Sequence, residues 1–168
     1  MAPERAIAAA RSVLAACRAQ ALRLVTAESC TGGLVAATLT EIAGSSDVVE
    51  GGFVTYANEA KEAMLGVPRE LLAAQGAVSE PVARAMAEGA LRQSASADLS
   101  VAVTGVAGPG GGSAAKPVGL VFIAAARRGG ALLSERHVFA GDRSAIREAA
   151  VLRALELLLQ AATSHASP

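Results

Sequence analysis

Apolar residues recur at helical spacing over residues 4–21, through Ile7, Val13, Leu14, Cys17 and Leu22, and predict an amphipathic helix. A short apolar run from Leu22 to Ala27 predicts a strand. It gives way to a polar and glycine stretch, Glu28-Ser29-Cys30-Thr31-Gly32-Gly33, before a helical pattern resumes from Leu34 to Ile42. Gly44-Ser45-Ser46 marks a turn. Val48 to Ala57 predicts a strand whose Gly51-Gly52 pair signals a bulge or the close approach of another backbone. Residues 58–65 and 68–75 predict two short helices, with Pro68 suited to the first turn of the second.

Ser79-Glu80-Pro81 opens a longer helix to about Gln93, with a hydroxyl at the cap and Val82, Met86 and Leu91 on its apolar side. Leu99 to Thr104 predicts a strand and Gly105 to Gly112 a glycine-rich loop. Val118 to Ala126 and Ala131 to Phe139 read as strands joined by the hairpin signal Arg127-Arg128-Gly129-Gly130. Gly141-Asp142-Arg143 opens a last helix over about residues 143–162, and Thr163 to Pro168 reads as a frayed tail. Helices separate the first three strands, so these are expected to be parallel. The hairpin makes the sheet mixed. The expectation is an α/β domain spanning 1–168, with no repeat, linker or second domain.

Composition narrows the functional classes. Hydrophobic residues make up 52% of the 168, which excludes a disordered chain. Fifteen basic and fifteen acidic residues cancel, which argues against a nucleic-acid partner. No apolar run reaches the ~18 residues that would span a bilayer, and the N-terminus lacks a signal-peptide pattern. A cytoplasmic chain is expected. Cys17, Cys30, His137 and His165 are scattered, so neither a disulfide framework nor a metal site is expected. The high apolar fraction allows a homo-oligomer. The chain holds 41 alanines and 13 arginines but only two lysines, Lys61 and Lys116. In a chain so biased to arginine, a retained lysine points to a need that arginine cannot meet, such as losing a proton when buried. Chance retention is the plainer alternative.

Four segments carry candidate chemistry, all at strand ends, where open α/β sheets build their sites. Glu28 to Gly33 forms a strand-to-helix turn. There Ser29 projects a hydroxyl, and amides around Thr31, Gly32 and Gly33 are available to an oxyanion or phosphate. A plain helix cap is the bland alternative. Ser45-Ser46 precedes Tyr56, Asn58 and Lys61, and a serine beside a neutral lysine hydrolyses amides without histidine. Read alone, Lys61 is more simply a surface residue. Thr104 to Gly112 is not a Walker loop, since no Gly-Lys-Ser/Thr ends it, yet amides such as those of Gly105 and Gly108 are free to cradle a substrate. Arg143 is suited to clamp a phosphate, or else to form an ion pair at a helix start.

The run Glu28 to Gly33 resembles the signature of the CinA C-terminal domain family. So do Gly51 to Lys61, Gly76 to Glu80, Thr104 to Pro109, Lys116 to Gly119 and Gly141 to Arg143, six motifs in the family's order. The resemblance implies a three-layer α/β/α sandwich with a mixed, mainly parallel five-stranded sheet. It also implies hydrolysis of the carboxamide of nicotinamide mononucleotide (NMN) to nicotinate mononucleotide and ammonia, with no cofactor. The chain starts too close to the signature to hold the molybdopterin-binding-like domain of some members, which implies the stand-alone form. The residues implied are Ser29, Ser46, Tyr56, Lys61, Thr104 and Arg143. Lys61 is the expected base. Ser29 is the expected nucleophile, with Ser46 as an alternative nucleophile or a relay. Two other functions compete: a catalytically silent nucleotide-binding module, and an amidase for a non-nucleotide amide.

Overall fold

The structure, a computed structural model, describes residues 2–164. Helix α1 (Glu4–Ala19) leads into β1 (Leu24–Glu28), α2 (Leu34–Thr40) and β2 (Val49–Val54). Helices α3 (Asn58–Leu65), α4 (Arg69–Gln75) and α5 (Glu80–Gln93) precede β3 (Leu99–Gly105). The hairpin of β4 (Leu120–Arg127) and β5 (Leu132–Val138) is followed by α6 (Arg143–Thr163). The element boundaries follow the local signals. Ser79 caps α5 by accepting from the Val82 amide, and Asp142 caps α6 by accepting from Ala145. Of the tail expected to fray, Thr163 ends α6 and Ser164 caps it, while residues 165–168 lie outside the described residues.

The strand order is β2-β1-β3-β4-β5. β2, β1 and β3 pair in parallel, as the intervening helices require, and β4 pairs antiparallel with both β3 and β5. Only β4 therefore opposes the common strand direction. Helices α1, α2 and α6 cover one face of the sheet, and α3, α4 and α5 pack on the other. Alternation along the strands sorts residue size between these layers. Leu99, Val101, Val103, Val121 and Ile123 face α1 and α6, whereas Ala102, Ala124 and Ala126 face α5. Small residues let α5 lie close to the sheet, tied to it by the Ser100 hydroxyl donating to the Ala87 carbonyl at 2.7 Å. A Cβ at Gly89 would collide with the Leu65 carbonyl, so α5 is equally close to the end of α3.

The Gly51-Gly52 signal resolves into a bulge, and the close neighbour at Gly52 is a side chain and not another backbone. The register steps from Leu24↔Val49 to Val25↔Gly51, leaving Glu50 unpaired as a bulge. A Cβ at Gly52 would sit 2.5 Å from Thr26 Oγ1, so glycine there leaves room for the threonine side chain. The C-terminal ends of β1, β2 and β3 then lie side by side, with Glu28 level with Val54 and Val103. Three loops meet at that edge.

On the far side of the sheet, Glu135 of β5 accepts both ends of the Arg153 guanidinium at 2.6 and 2.7 Å and pairs with His137 Nε2 at 2.7 Å. Arg153 first, then His137, holds the Glu135 carboxyl below its ordinary range. A carboxyl lowered in the fold contributes stability that is complete above its unfolded pKa and lost as pH falls through the folded value. Glu135→Gln is expected to lower unfolding free energy by ~1 kcal/mol near neutrality. In urea unfolding, the gap from the parent should close below about pH 4.

Candidate active site

Ser29 follows β1 directly, its amide bonded to the Val103 carbonyl of β3 at 2.9 Å. Lys61 lies in the second turn of α3. Helical side chains lean toward their own N-terminus, and Lys61 reaches back over the start of α3 into the protein, where it is 1% exposed. Its Nζ donates to the Thr55 carbonyl at 2.8 Å and the Tyr56 carbonyl at 3.2 Å, and meets Ser29 Oγ at 3.0 Å. Burial pushes the amine below its ordinary pKa. Lys61 is thus no surface lysine.

A cavity of about 300 Å³ opens over this pair. Ser29, Lys61, Tyr56, Thr104, Gly105, Gly108 and Arg143 line it, with Ala77 and Val78 forming one wall. Arg143 opens α6 and crosses the mouth: Nη1 donates to the Gly108 carbonyl at 2.7 Å and Nη2 to the Tyr56 hydroxyl at 3.2 Å. Tyr56 therefore serves two regions, its carbonyl toward Lys61 and its exposed phenol toward Arg143. Thr104 donates its hydroxyl to the Ala77 carbonyl at 2.8 Å and fixes that wall. Gly108 has φ +77°, and a Cβ there would meet Val118 at 2.5 Å, so the loop keeps its course only with glycine.

The other predicted residues lie away from the cavity. Ser46 is exposed in a 3₁₀ turn at Ser45–Asp47, ahead of β2. It sits where β1 begins, and β1 alone separates it from Ser29 by ~17 Å at ~3.3 Å per residue. The structure does not bring it to Lys61 or to the cavity. Thr31, Gly32 and Gly33 turn the chain behind Ser29 and are not among the residues lining the cavity. The first turn of α2 already has its acceptors. The Glu28 carboxylate accepts from Val35 at 2.8 Å and Ala36 at 3.1 Å, and Leu34 donates to Thr31. The Cys30 amide, next to Ser29, donates to no backbone or side-chain oxygen among the described residues and lies on the cavity wall.

Three contributions were not legible in the sequence. Glu28 fills the α2 start. Arg147 of α6 donates to the Cys30 and Thr31 carbonyls at 3.0 and 3.2 Å and holds the turn from the other side. The Ala77-Val78 wall is placed by long-range bonds. The nearest signal was the Glu28 position itself, an acidic residue ahead of a hydroxyl-rich turn and a helix start. Burial raises the Cys30 thiol to about 11, which leaves it protonated and a poor rival to Ser29. Among the described residues, no three potential metal ligands cluster, and no helix is long and apolar enough to cross a membrane.

The sheet order and the strand-edge cavity define a mixed-sheet α/β/α protein whose pocket is built from the loops after β1, β2 and β3. The chain belongs to the CinA C-terminal domain family, whose model matches residues 6–162. It is 53% identical over 145 residues to the nicotinamide-nucleotide amidohydrolase PncC of Escherichia coli K12, covering 86% of this chain and 87% of that protein. A CinA-like protein of Akkermansia muciniphila is 55% identical over 142 residues, which are 84% of this chain but 34% of that protein. The chain thus spans about a third of the length of such relatives. The crystal structure of the competence/damage inducible protein CihA from Agrobacterium tumefaciens superposes with a TM-score of 0.94 at 51% identity, covering 96% of this chain and 98% of that one.

A lysine with a lowered folded-state pKa binds fewer protons folded than unfolded, so stability rises with pH between the two values. The parent should gain stability relative to Lys61→Met as pH is raised from about 7 toward ~10, read by urea unfolding at constant salt. A flat difference would show that the amine is not desolvated.

Proposed function

We propose that this protein hydrolyses the carboxamide of NMN to nicotinate mononucleotide and ammonia, with Ser29 as nucleophile and Lys61 as general base. One observation carries the mechanism: a buried lysine amine 3.0 Å from a serine hydroxyl at the floor of a cavity. In its neutral form the amine keeps two N–H bonds, and the Thr55 and Tyr56 carbonyls hold both. The lone pair is then left facing Ser29 Oγ. The name of the Escherichia coli relative supports the substrate.

As the Ser29 oxygen bonds to the carboxamide carbon, its proton passes to Lys61 and the carbonyl oxygen becomes an oxyanion beside the Cys30 amide. Collapse breaks the C–N bond. The Lys61 ammonium returns the proton to the leaving nitrogen, so ammonia departs and an ester remains on Ser29. Water then attacks that ester with Lys61 again as base, releasing the acid and restoring the serine. The cationic pyridinium of the substrate adds to burial in keeping Lys61 neutral. Arg143 at the mouth receives the 5′-phosphate, assisted by amides of the Gly105–Gly111 loop. A silent nucleotide-binding module would gain nothing from an amine buried against a serine, a placement that opposes folding by several kcal/mol unless it is compensated.

Incubation of the purified chain with NMN should release ammonia stoichiometric with nicotinate mononucleotide. Lys61→Arg keeps the positive charge but supplies no usable base. It should abolish turnover while NMN binding remains measurable by calorimetry, and near-normal turnover would rule out the serine–lysine mechanism.

Charge-assisted bonds of ~1.5–3 kcal/mol set the expectation for Arg143→Ala, a ~10–100-fold loss of kcat/KM with NMN. Nicotinamide riboside, which has no phosphate, should be far less affected. Equal losses on both substrates would remove the phosphate role.

A further inference from the structure

Glu28 ends β1, precedes Ser29 and is 1% exposed. It is not among the residues lining the cavity. Oε1 accepts from the Val35 amide at 2.8 Å and Oε2 from the Ala36 amide at 3.1 Å, and the Thr26 hydroxyl lies 3.4 Å from Oε2. One side chain therefore ties the end of β1 to the first turn of α2 and closes the intervening loop that carries Ser29. The main chain of the same residue reaches the other half of the pair. Its carbonyl accepts from the Thr55 amide at 2.8 Å, and the Thr55 carbonyl is the closest partner of Lys61 Nζ.

We infer that Glu28 is a positioning residue for the hydrolysis, fixing Ser29 Oγ against the Lys61 amine by bridging β1 to the start of α2. The inference rests on the serine–lysine reading above. A carboxylate suits this task because two amide donors converge on it and each finds an oxygen. A glutamine offers one oxygen and turns an NH₂ against the second amide, leaving buried donors opposed. The bridge then opens on one side, and the loop is free to shift. The charge is answered by the α2 amides and not by Lys61, whose nitrogen bonds Ser29, Thr55 and Tyr56. Loss of the bridge should therefore disturb placement and leave the basicity of Lys61 as it was.

The test is Glu28→Gln, with rates normalised to the folded fraction from circular dichroism and urea unfolding. A 1 Å misplacement costs up to ~100-fold in rate, so kcat on NMN should fall ~10–100-fold with KM within ~3-fold of the parent. The apparent pKa of the pH–rate profile should not move. Acylation by p-nitrophenyl acetate, which needs the serine and its base but no nucleotide, should fall by a similar factor. An unchanged kcat per folded molecule would reduce Glu28 to a stability role and overturn the inference. So would a displaced pH profile, which would mean that its charge acts on Lys61 directly. If Glu28→Gln does not fold, Glu28→Asp replaces it with the same outcomes, since it keeps the charge but is a methylene too short to meet both amides. A parent that is acylated but leaves NMN intact would refute the substrate alone, and acylation lost in the variant would still uphold the positioning role. A parent that is not acylated would sink both readings.

Discussion

A lysine nitrogen removed from water is the constraint around which this fold is arranged. A lysine nitrogen without solvent is tolerated only where other hydrogen-bond partners replace its hydration, and here three oxygens do so: two main-chain carbonyls and one serine hydroxyl. The carbonyls come from Thr55 and Tyr56 because β2 ends at Val54 and α3 begins at Asn58, leaving a connection just long enough to turn them inward. The hydroxyl comes from Ser29 because β1 lies beside β2 in register, with Glu28 level with Val54. Moving any of these three ends would leave the amine short of a partner. The parallel pairing of β1 and β2 and the tight start of α3 thus serve one buried nitrogen.

The abundance of alanine acquires a structural meaning. On the face covered by α5, β3 and β4 present Ala102, Ala124 and Ala126 beside the larger Phe122, whereas their opposite face carries Leu99, Val101, Val103, Val121 and Ile123 with a single alanine, Ala125. The thin layer draws α5 inward and, with it, the Ala77-Val78 segment that precedes it.

Much of this was legible in the sequence where the signal is local. Caps at Ser79 and Asp142, the Arg127–Gly130 hairpin and the Gly51-Gly52 irregularity each predict an element or a boundary from neighbouring residues alone. The rarity of lysine directed attention to Lys61, which is buried, but said nothing reliable of Lys116, which bonds the Gln75 carbonyl at 2.7 Å from a partly exposed position. Ser46 attracted notice because it is close to Lys61 in sequence, yet distance along the chain does not reveal which end of a strand a turn occupies. The amides of Val35 and Ala36 looked free because their occupant, Glu28, precedes them by seven and eight residues, across a turn whose course depends on β3 and α6. Strand pairing and side-chain direction are long-range properties. Local pattern carries neither.

The bulge at Glu50 has a consequence away from the cavity. β2 is an outer strand, and such a strand offers a row of unused amides and carbonyls to any extended chain that meets it. Its ladder is interrupted by the unpaired Glu50, whose carboxylate is held by Arg23 at 2.5 Å, and the two glycines that follow give an incoming strand little to pack against. A charge and a kink at mid-strand make a poor template. The irregularity that steps the register between β1 and β2 thus guards this margin of the sheet against adventitious extension and the fibrous association that can follow.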